Sequence, residues 1–394
     1  MKLKCKYIIT SASLFVIPVL LSALTLLIKK ESEGVFLRTL IFSIILGFIN
    51  VFIYLYSHFT GKLDYDNDEH PLRYLITYGG CFLLACSFVF IDKNGWIYLS
   101  IGIALSLFSD SLCGLTGLAS MLTLSCLLSN SSSITFFVYF AACLLGIAVF
   151  RDIDQNFNVS SSIIISSVSL LILETAGFIL LENKKLSTEQ FIIPIVNIAI
   201  NVIALVFILK YFNLVVANRY RNKYLELNDQ EYKELQKLKE TSKEEYFRSI
   251  HTAYLAERMA SSIGCDVDVA KNCAYYHRIK QVFNLTGKEC EQFTIDNNFP
   301  PKAKAVLLEF LDRRSKLINK ESCIVYLSDK LISTILGIFK KDPAAKVNYS
   351  EIINSLMEKE STKETLKDSD LSYKDFRAIK KVMLDEQLYY DFLR

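Results

Sequence analysis

The chain has 394 residues, a formal net charge of only +3 and an apolar fraction of 52%. So balanced a charge leaves no electrostatic case for binding a nucleic-acid polymer. The ten cysteines are scattered without a CxxC pair, so neither a zinc site nor a disulfide framework is indicated. The length allows two domains, and the apolar residues divide unevenly between them. Nearly all long apolar runs precede Tyr220, and most of the charge follows it.

A helix that crosses lipid needs about 20 apolar residues. Residues 7–28, 39–57, 74–91, 133–150, 159–181 and 191–209 each satisfy that requirement. The run 96–130 is nearly twice as long and is interrupted by Ser109-Asp110-Ser111, which reads as two spans joined by a polar turn. Residues 1–216 are therefore expected to form about eight transmembrane helices in a lipid bilayer. The basic start at Lys2, Lys4 and Lys6 is compatible with a signal peptide. The long apolar run and the lack of a small-residue cleavage site favour an uncleaved anchor instead. Those lysines favour a cytoplasmic N-terminus. An even number of spans then puts the C-terminus in the cytoplasm too, in accord with Arg219, Arg221 and Lys223 after the last span. Lys29 and Lys30 fall on the other side and run against this rule.

Two acids lie within the apolar runs themselves. Asp110 belongs to the polar turn. Glu174 stands inside a span, where an ionisable group is costly and marks a functional site or a hydrogen bond to a neighbouring helix, such as the one carrying Asn197 and Asn201.

Residues 217–246 are highly charged and free of Gly and Pro, with Glu226, Glu231, Glu234, Lys237 and Lys239 spaced for i,i+3 and i,i+4 pairs. They predict an exposed helical linker. Beyond it, residues 247–394 show helical periodicity throughout: Leu255, Met259 and Ile263, then Val306 and Phe310, then Leu331, Ile335 and Ile338. Pro300-Pro301 opens a helix, and Ser372 with Asp375 forms a capping-box start. There is no strand alternation, Gly-rich phosphate loop or GxSxG. The expected fold class is all-α, a polytopic helix bundle followed by an all-helical cytoplasmic domain.

Three segments carry a family resemblance. Tyr224-Leu-Glu-Leu-Asn228 is followed by Tyr246-Phe-Arg-Ser-Ile-His-Thr-Ala-Tyr-Leu-Ala-Glu257. Ala274-Tyr-Tyr-His277-Arg-Ile-Lys280 comes next, and Leu366-Lys-Asp-Ser-Asp-Leu-Ser-Tyr-Lys-Asp375 last. In this order they resemble the seven-transmembrane HD proteins, bacterial membrane phosphodiesterases of cyclic di-AMP of the PgpH type. The second segment is similar to that family's AYYHDIGK element, and Arg151 falls at its basic cytoplasmic loop. The resemblance implies an HD-like domain at 247–394 and a site in which histidines and carboxylates hold divalent metal, which polarises phosphate and generates hydroxide.

The departures from the family pattern concern that site. Where the family has its first metal histidine, seven residues before Leu255, this chain has Arg248. His251 lies three positions further along the helix and does not present its imidazole at the same point. His277 is retained, its partner aspartate is Arg278, and the final ligand appears as Asp329 after Ser328. No histidine follows His277, and the His-His pair expected near Leu311-Asp312-Arg313 is missing. The chain's four histidines are His58, His70, His251 and His277, too few in the C-terminal region for a two-metal site. The family's large extracellular region is absent as well, since 29–34 is a short loop.

The expectation is therefore a pseudoenzyme, with no catalytic residue, no cofactor and only vestigial metal ligands in His277 and Asp329. Arg248, His277, Arg278 and Asp329 are the candidate ligand-binding set. Their arginines either receive phosphate or carboxylate bidentately or plug the site by pairing with Asp329. A cyclic dinucleotide or a partner protein is the candidate ligand. Two alternatives stay open: a residual cyclic-di-AMP phosphodiesterase using manganese or iron at His277 and Asp329, and a membrane scaffold or transport-associated protein that works through Glu174.

Overall fold

In the computed structural model, residues 2–151, 159–181, 191–312, 316–361, 363 and 365–394 are described. Every regular element among them is a helix. The chain divides into two compact units, Met1–Asn218 and Arg219–Arg394.

The first unit is built from α1 (Lys2–Lys29), α2 (Glu33–Phe59), α3 (Pro71–Ser87), α4 (Tyr98–Leu107), α5 (Ser111–Ser129), α6 (Ser133–Phe150), α7 (Val159–Ala176) and α8 (Ile192–Phe212). Among the described residues, seven segments of this unit are long and apolar enough to cross a membrane, and α4 is shorter. The expected pair of spans in 96–130 is thus one full helix and one of ten residues. At 1.5 Å per residue α4 is about 15 Å long, half the thickness of hydrocarbon.

Helix α4 survives at this length because it never meets lipid: all ten of its residues are buried. Its backbone ends are satisfied by two asparagines from distant segments. The Ser100 amide in the first turn donates to Asn201 Oδ1 at 3.0 Å, and Asn67 Nδ2 donates to the Leu107 carbonyl at 3.1 Å and the Ser109 carbonyl at 3.2 Å. Irregular backbone at membrane depth is tolerable only when protein supplies such partners. Asp110 caps α5, its carboxylate accepting from the Cys113 amide at 2.6 Å. Helices α4 and α5 approach closely at Gly114, where a Cβ would stand 2.6 Å from Ser106 Cβ, the small-residue contact that lets apolar helices pack without a hydrophobic driving force.

The short helix still reverses the chain. At one end of the unit, Tyr7 donates to the Asp68 carbonyl and His58 Nδ1 meets the Asp68 carboxylate. At the same end the Asp64 amide donates to the Ser109 carbonyl, and Phe212 packs edge-on against Phe108 at 5.5 Å and Tyr65 at 5.0 Å. At the opposite end Lys29 Nζ donates to the Leu128 carbonyl. The start of α1 and the end of α8 therefore lie at the same end of the unit.

The second unit contains α9 (Asn218–Leu227), α10 (Lys233–Thr241), α11 (Lys243–Ile263), α12 (Val267–Tyr276), α13 (Ile279–Val282), α14 (Gly287–Asp296), α15 (Pro301–Leu311), α16 (Lys320–Lys341), α17 (Tyr349–Ser361), α18 (Tyr373–Asp385) and α19 (Gln387–Tyr390). Its boundary falls at Arg219 rather than at 247. The segment expected to be an exposed linker is two helices broken at 228–232, and Tyr224, Leu227, Leu235 and Leu238 are buried in this unit's core. Charge covers one face of these helices, and the apolar stripe on the other decides where they sit. Helix α16 is the eighth segment long and apolar enough to span a membrane. Its buried face is covered by α11, α12, α15 and α17. Ser372 and Asp375 form a reciprocal capping box that starts α18, and Pro301 starts α15.

Candidate functional site

Three helices of the second unit carry the residues singled out by the sequence. Helix α11 starts at the N-cap Ser242, whose hydroxyl accepts from the Glu245 amide at 3.4 Å. Glu245 and Arg248 follow three residues apart, hence on neighbouring positions of one face. Helix α12 ends at Tyr276, whose hydroxyl donates to the Leu227 carbonyl at 2.8 Å. This anchoring fixes His277 at the C-cap, and its Nδ1–H donates to the Ala274 carbonyl at 2.6 Å. Helix α16 places Asp329 within its buried stripe, between Val325 and Ile332.

Arg248, His277 and Asp329 meet. Arg248 Nε donates to Asp329 Oδ1 at 2.6 Å and Nη2 to Oδ2 at 2.8 Å, a bidentate fork that uses both carboxylate oxygens. His277 Nε2 lies 3.0 Å from Asp329 Oδ1, with the ring packed edge-on against Phe310 at 5.6 Å. Both ring nitrogens thus face oxygen atoms, the Ala274 carbonyl and the Asp329 carboxylate. Asp329 is 9% exposed. Burial works against its charge, but His277 and Arg248 outweigh burial and hold its carboxyl well below the usual carboxylate range.

Arg278 does not join them. Its Nε donates to Glu245 Oε2 at 2.6 Å and its Nη2 to Oε1 at 3.0 Å. Burial alone would raise the Glu245 carboxyl; the fork from Arg278, with Arg248 and His277 beyond it, lowers it. The idea that both arginines plug the site through Asp329 is corrected accordingly. There are two forks, Arg248 on Asp329 and Arg278 on Glu245. Glu245 escaped sequence reasoning. Its only signal was its place three residues before Arg248, and its partner lies 33 residues on.

His251 turns away, its Nδ1 lying 2.7 Å from the Tyr389 hydroxyl. In the first unit, Asp110 is the helix cap described above. Glu174 is buried and accepts from Asn197 Nδ2 at 3.2 Å.

A metal does not fit this donor set. Catalytic zinc, for example, is held by three protein donors. The Asp329 oxygens are consumed by a guanidinium, and His277 Nε2 contacts the carboxylate directly, leaving no gap between them for an ion. Among the described residues no three His, Cys, Asp or Glu side chains converge as a metal site requires. A broad groove in this unit lies elsewhere, between α17 and α18, with a volume of ≈ 1070 Å³ and Lys363, Arg377, Lys380 and Lys381 along it.

No protein-family model matches the chain, and no curated protein matches it. Among solved structures, a partial likeness is found to the HD domain of the L. monocytogenes phosphodiesterase PgpH, crystallised in complex with cyclic-di-AMP. Identity is 15%, with 39% of this chain and 96% of that chain covered at a TM-score of 0.32.

Proposed function

We propose that this is a multi-pass membrane protein whose C-terminal helical unit is a non-hydrolysing relative of HD phosphohydrolase domains, facing the cytoplasm and acting as a binding or regulatory module. The observation that carries the reading is the Arg248 fork on Asp329 beside His277. A fixed guanidinium takes up the carboxylate that a metal would need, and it brings its own positive charge. Hydrolysis of a phosphodiester then lacks both the Lewis acid and the metal-bound hydroxide. The sequence resemblance makes cyclic di-AMP the first ligand to try, with a protein partner as the other form of the same reading.

The test uses the purified full-length protein in detergent, supplied with manganese or iron. The expected result is no stoichiometric metal by elemental analysis and no turnover of cyclic di-AMP. Metal at one or two ions per chain together with turnover overturns the proposal. A thermal-shift titration with cyclic di-AMP separates its two forms. A saturable upward shift supports nucleotide binding, and no shift at high ligand leaves the partner protein.

A further inference from the structure

Helix α18 buries Ile379 and Met383 and turns its cations outward. It has two acids. Asp375 is buried, where it closes the capping box and accepts from Lys320 Nζ at 2.9 Å. Asp385 is exposed and shares the outer face with Lys374, Arg377, Lys380 and Lys381. Among the described residues no carboxylate pairs with Arg377, Lys380 or Lys381. These three line the groove between α17 and α18, where Met357, Phe376 and Leu384 supply apolar wall. Glu358 faces them from α17, and Lys363 on the same groove is held by Glu360 at 2.5 Å. Tyr373, at the start of α18, is 81% exposed. The groove is thus apolar along its walls, net basic, and flanked by an exposed tyrosine.

This is the chemistry of a helix that lies on a membrane surface. Lys and Arg take the phosphates, apolar groups reach the acyl boundary, and tyrosine sits at headgroup level. The bilayer is also close at hand. The chain leaves the last span through a helical turn at Asn213–Ala217 and enters this unit as α9. Contacts within the unit then lead from α9 to α18. Asn228, just past α9, donates to the Asp268 carbonyl at 3.1 Å, and the Asp266 amide donates to Glu321 of α16 at 3.3 Å. The neighbouring Lys320 holds Asp375 in the first turn of α18. An acidic protein segment would meet the same cations, but it must be recruited from solution. A bilayer tethered to the unit is present at high effective concentration.

We propose that the outer face of α18 docks on the anionic headgroups of the bilayer, with Arg377, Lys380 and Lys381 on lipid phosphates and Tyr373 at headgroup level. Docking of this face involves none of Arg248, His277 and Asp329, so it stands or falls apart from the nucleotide reading. The test uses the full-length protein in nanodiscs of phosphatidylcholine, with or without phosphatidylglycerol. Lys374→Cys in a cysteine-free background carries a polarity-sensitive fluorophore, and spin-labelled headgroups act as quencher. Quenching and a blue shift are expected with phosphatidylglycerol, and neither without it. About 1 M salt, where the Debye length is about 3 Å, should abolish both. The same label on Lys341→Cys, at the other end of α16 from Lys320, is expected to stay in water. Arg377→Gln, Lys380→Gln and Lys381→Gln together should lower the docked-to-undocked ratio by roughly fivefold for each cation removed. Lys381→Gln alone, expected to cost roughly fivefold, serves if the triple variant has a lowered unfolding midpoint. Absence of quenching with phosphatidylglycerol overturns the proposal, as does equal quenching in both nanodiscs or at Lys341. Quenching that survives loss of the three cations overturns it too. A label that stays wet in nanodiscs and is shielded only in native membranes makes a protein the occupant, and overturns it as well.

Discussion

Arg248 and Asp329 are bound by their geometry into one electrostatic unit. Removing one partner of a buried pair leaves the other charge without compensation, which costs more than the pair contributes. Arg248→Met is therefore expected to destabilise the C-terminal unit by about 3 kcal/mol, and the double change Arg248→Met with Asp329→Leu to recover most of it. Pulse proteolysis of that unit in the full-length protein measures both, and equal losses in the single and double variants would contradict the pairing. The acid response follows from the depressed carboxyl of Asp329. Its folded pKa lies below the unfolded value of about 3.9, so its stabilisation is present above that value and is lost as pH falls through it toward the folded one. The unit should lose stability below about pH 4, and Asp329→Asn should flatten that limb of the profile. The family resemblance brought Arg248 and Asp329, 81 residues apart, into one candidate set, but the Arg278 pairing with Glu245 could not be read from the sequence. What could be read was that the side chains which hold metal in the resembled family had become arginines.

Among the elements, α4 and α16 show why apolar composition does not by itself place a helix. Helix α4 is apolar enough for lipid but too short to cross it, and it depends on side chains from other segments at both ends. Asn67→Leu and Asn201→Leu each orphan a buried backbone group and are expected to cost about 1–3 kcal/mol. Gly114→Ala forces a Cβ against the Ser106 backbone at 2.7 Å, and overpacking of this kind costs about 1–3 kcal/mol. Thermal denaturation in detergent should show all three as lower midpoints, and an unchanged midpoint would remove the tight α4 contacts from the account. Helix α16 is long and apolar enough to span a membrane, yet Asp329 and Glu321 on its buried side are paired with Arg248 and Lys302 from other helices. The apolar periodicity around both helices was legible in the sequence. Their ends and their neighbours were not, since caps are supplied by residues far away in the chain.

At the scale of the whole molecule, the first unit brings the end of α8 back to the end where α1 begins, and we propose that this end faces the cytoplasm. Single cysteines introduced at Gly34, Gly61 and Arg219 in a cysteine-free background test this with a membrane-impermeant reagent. Gly61 and Arg219 should label from the cytoplasmic face and Gly34 from the other. Labelling of Gly34 and Arg219 from the same face would show that α4 does not count as a crossing. The sequence by itself determined the division into an apolar and a charged half, the helical class of both, and the shortage of histidines after the last span, because composition and period are properties of the chain. Only the tertiary structure decided which carboxylate each arginine takes and where α4 stops. It also decided that Glu174 keeps one oxygen without a donor. The physical reason is that hydrogen-bond donors and opposite charges are shared out among elements that meet only on folding.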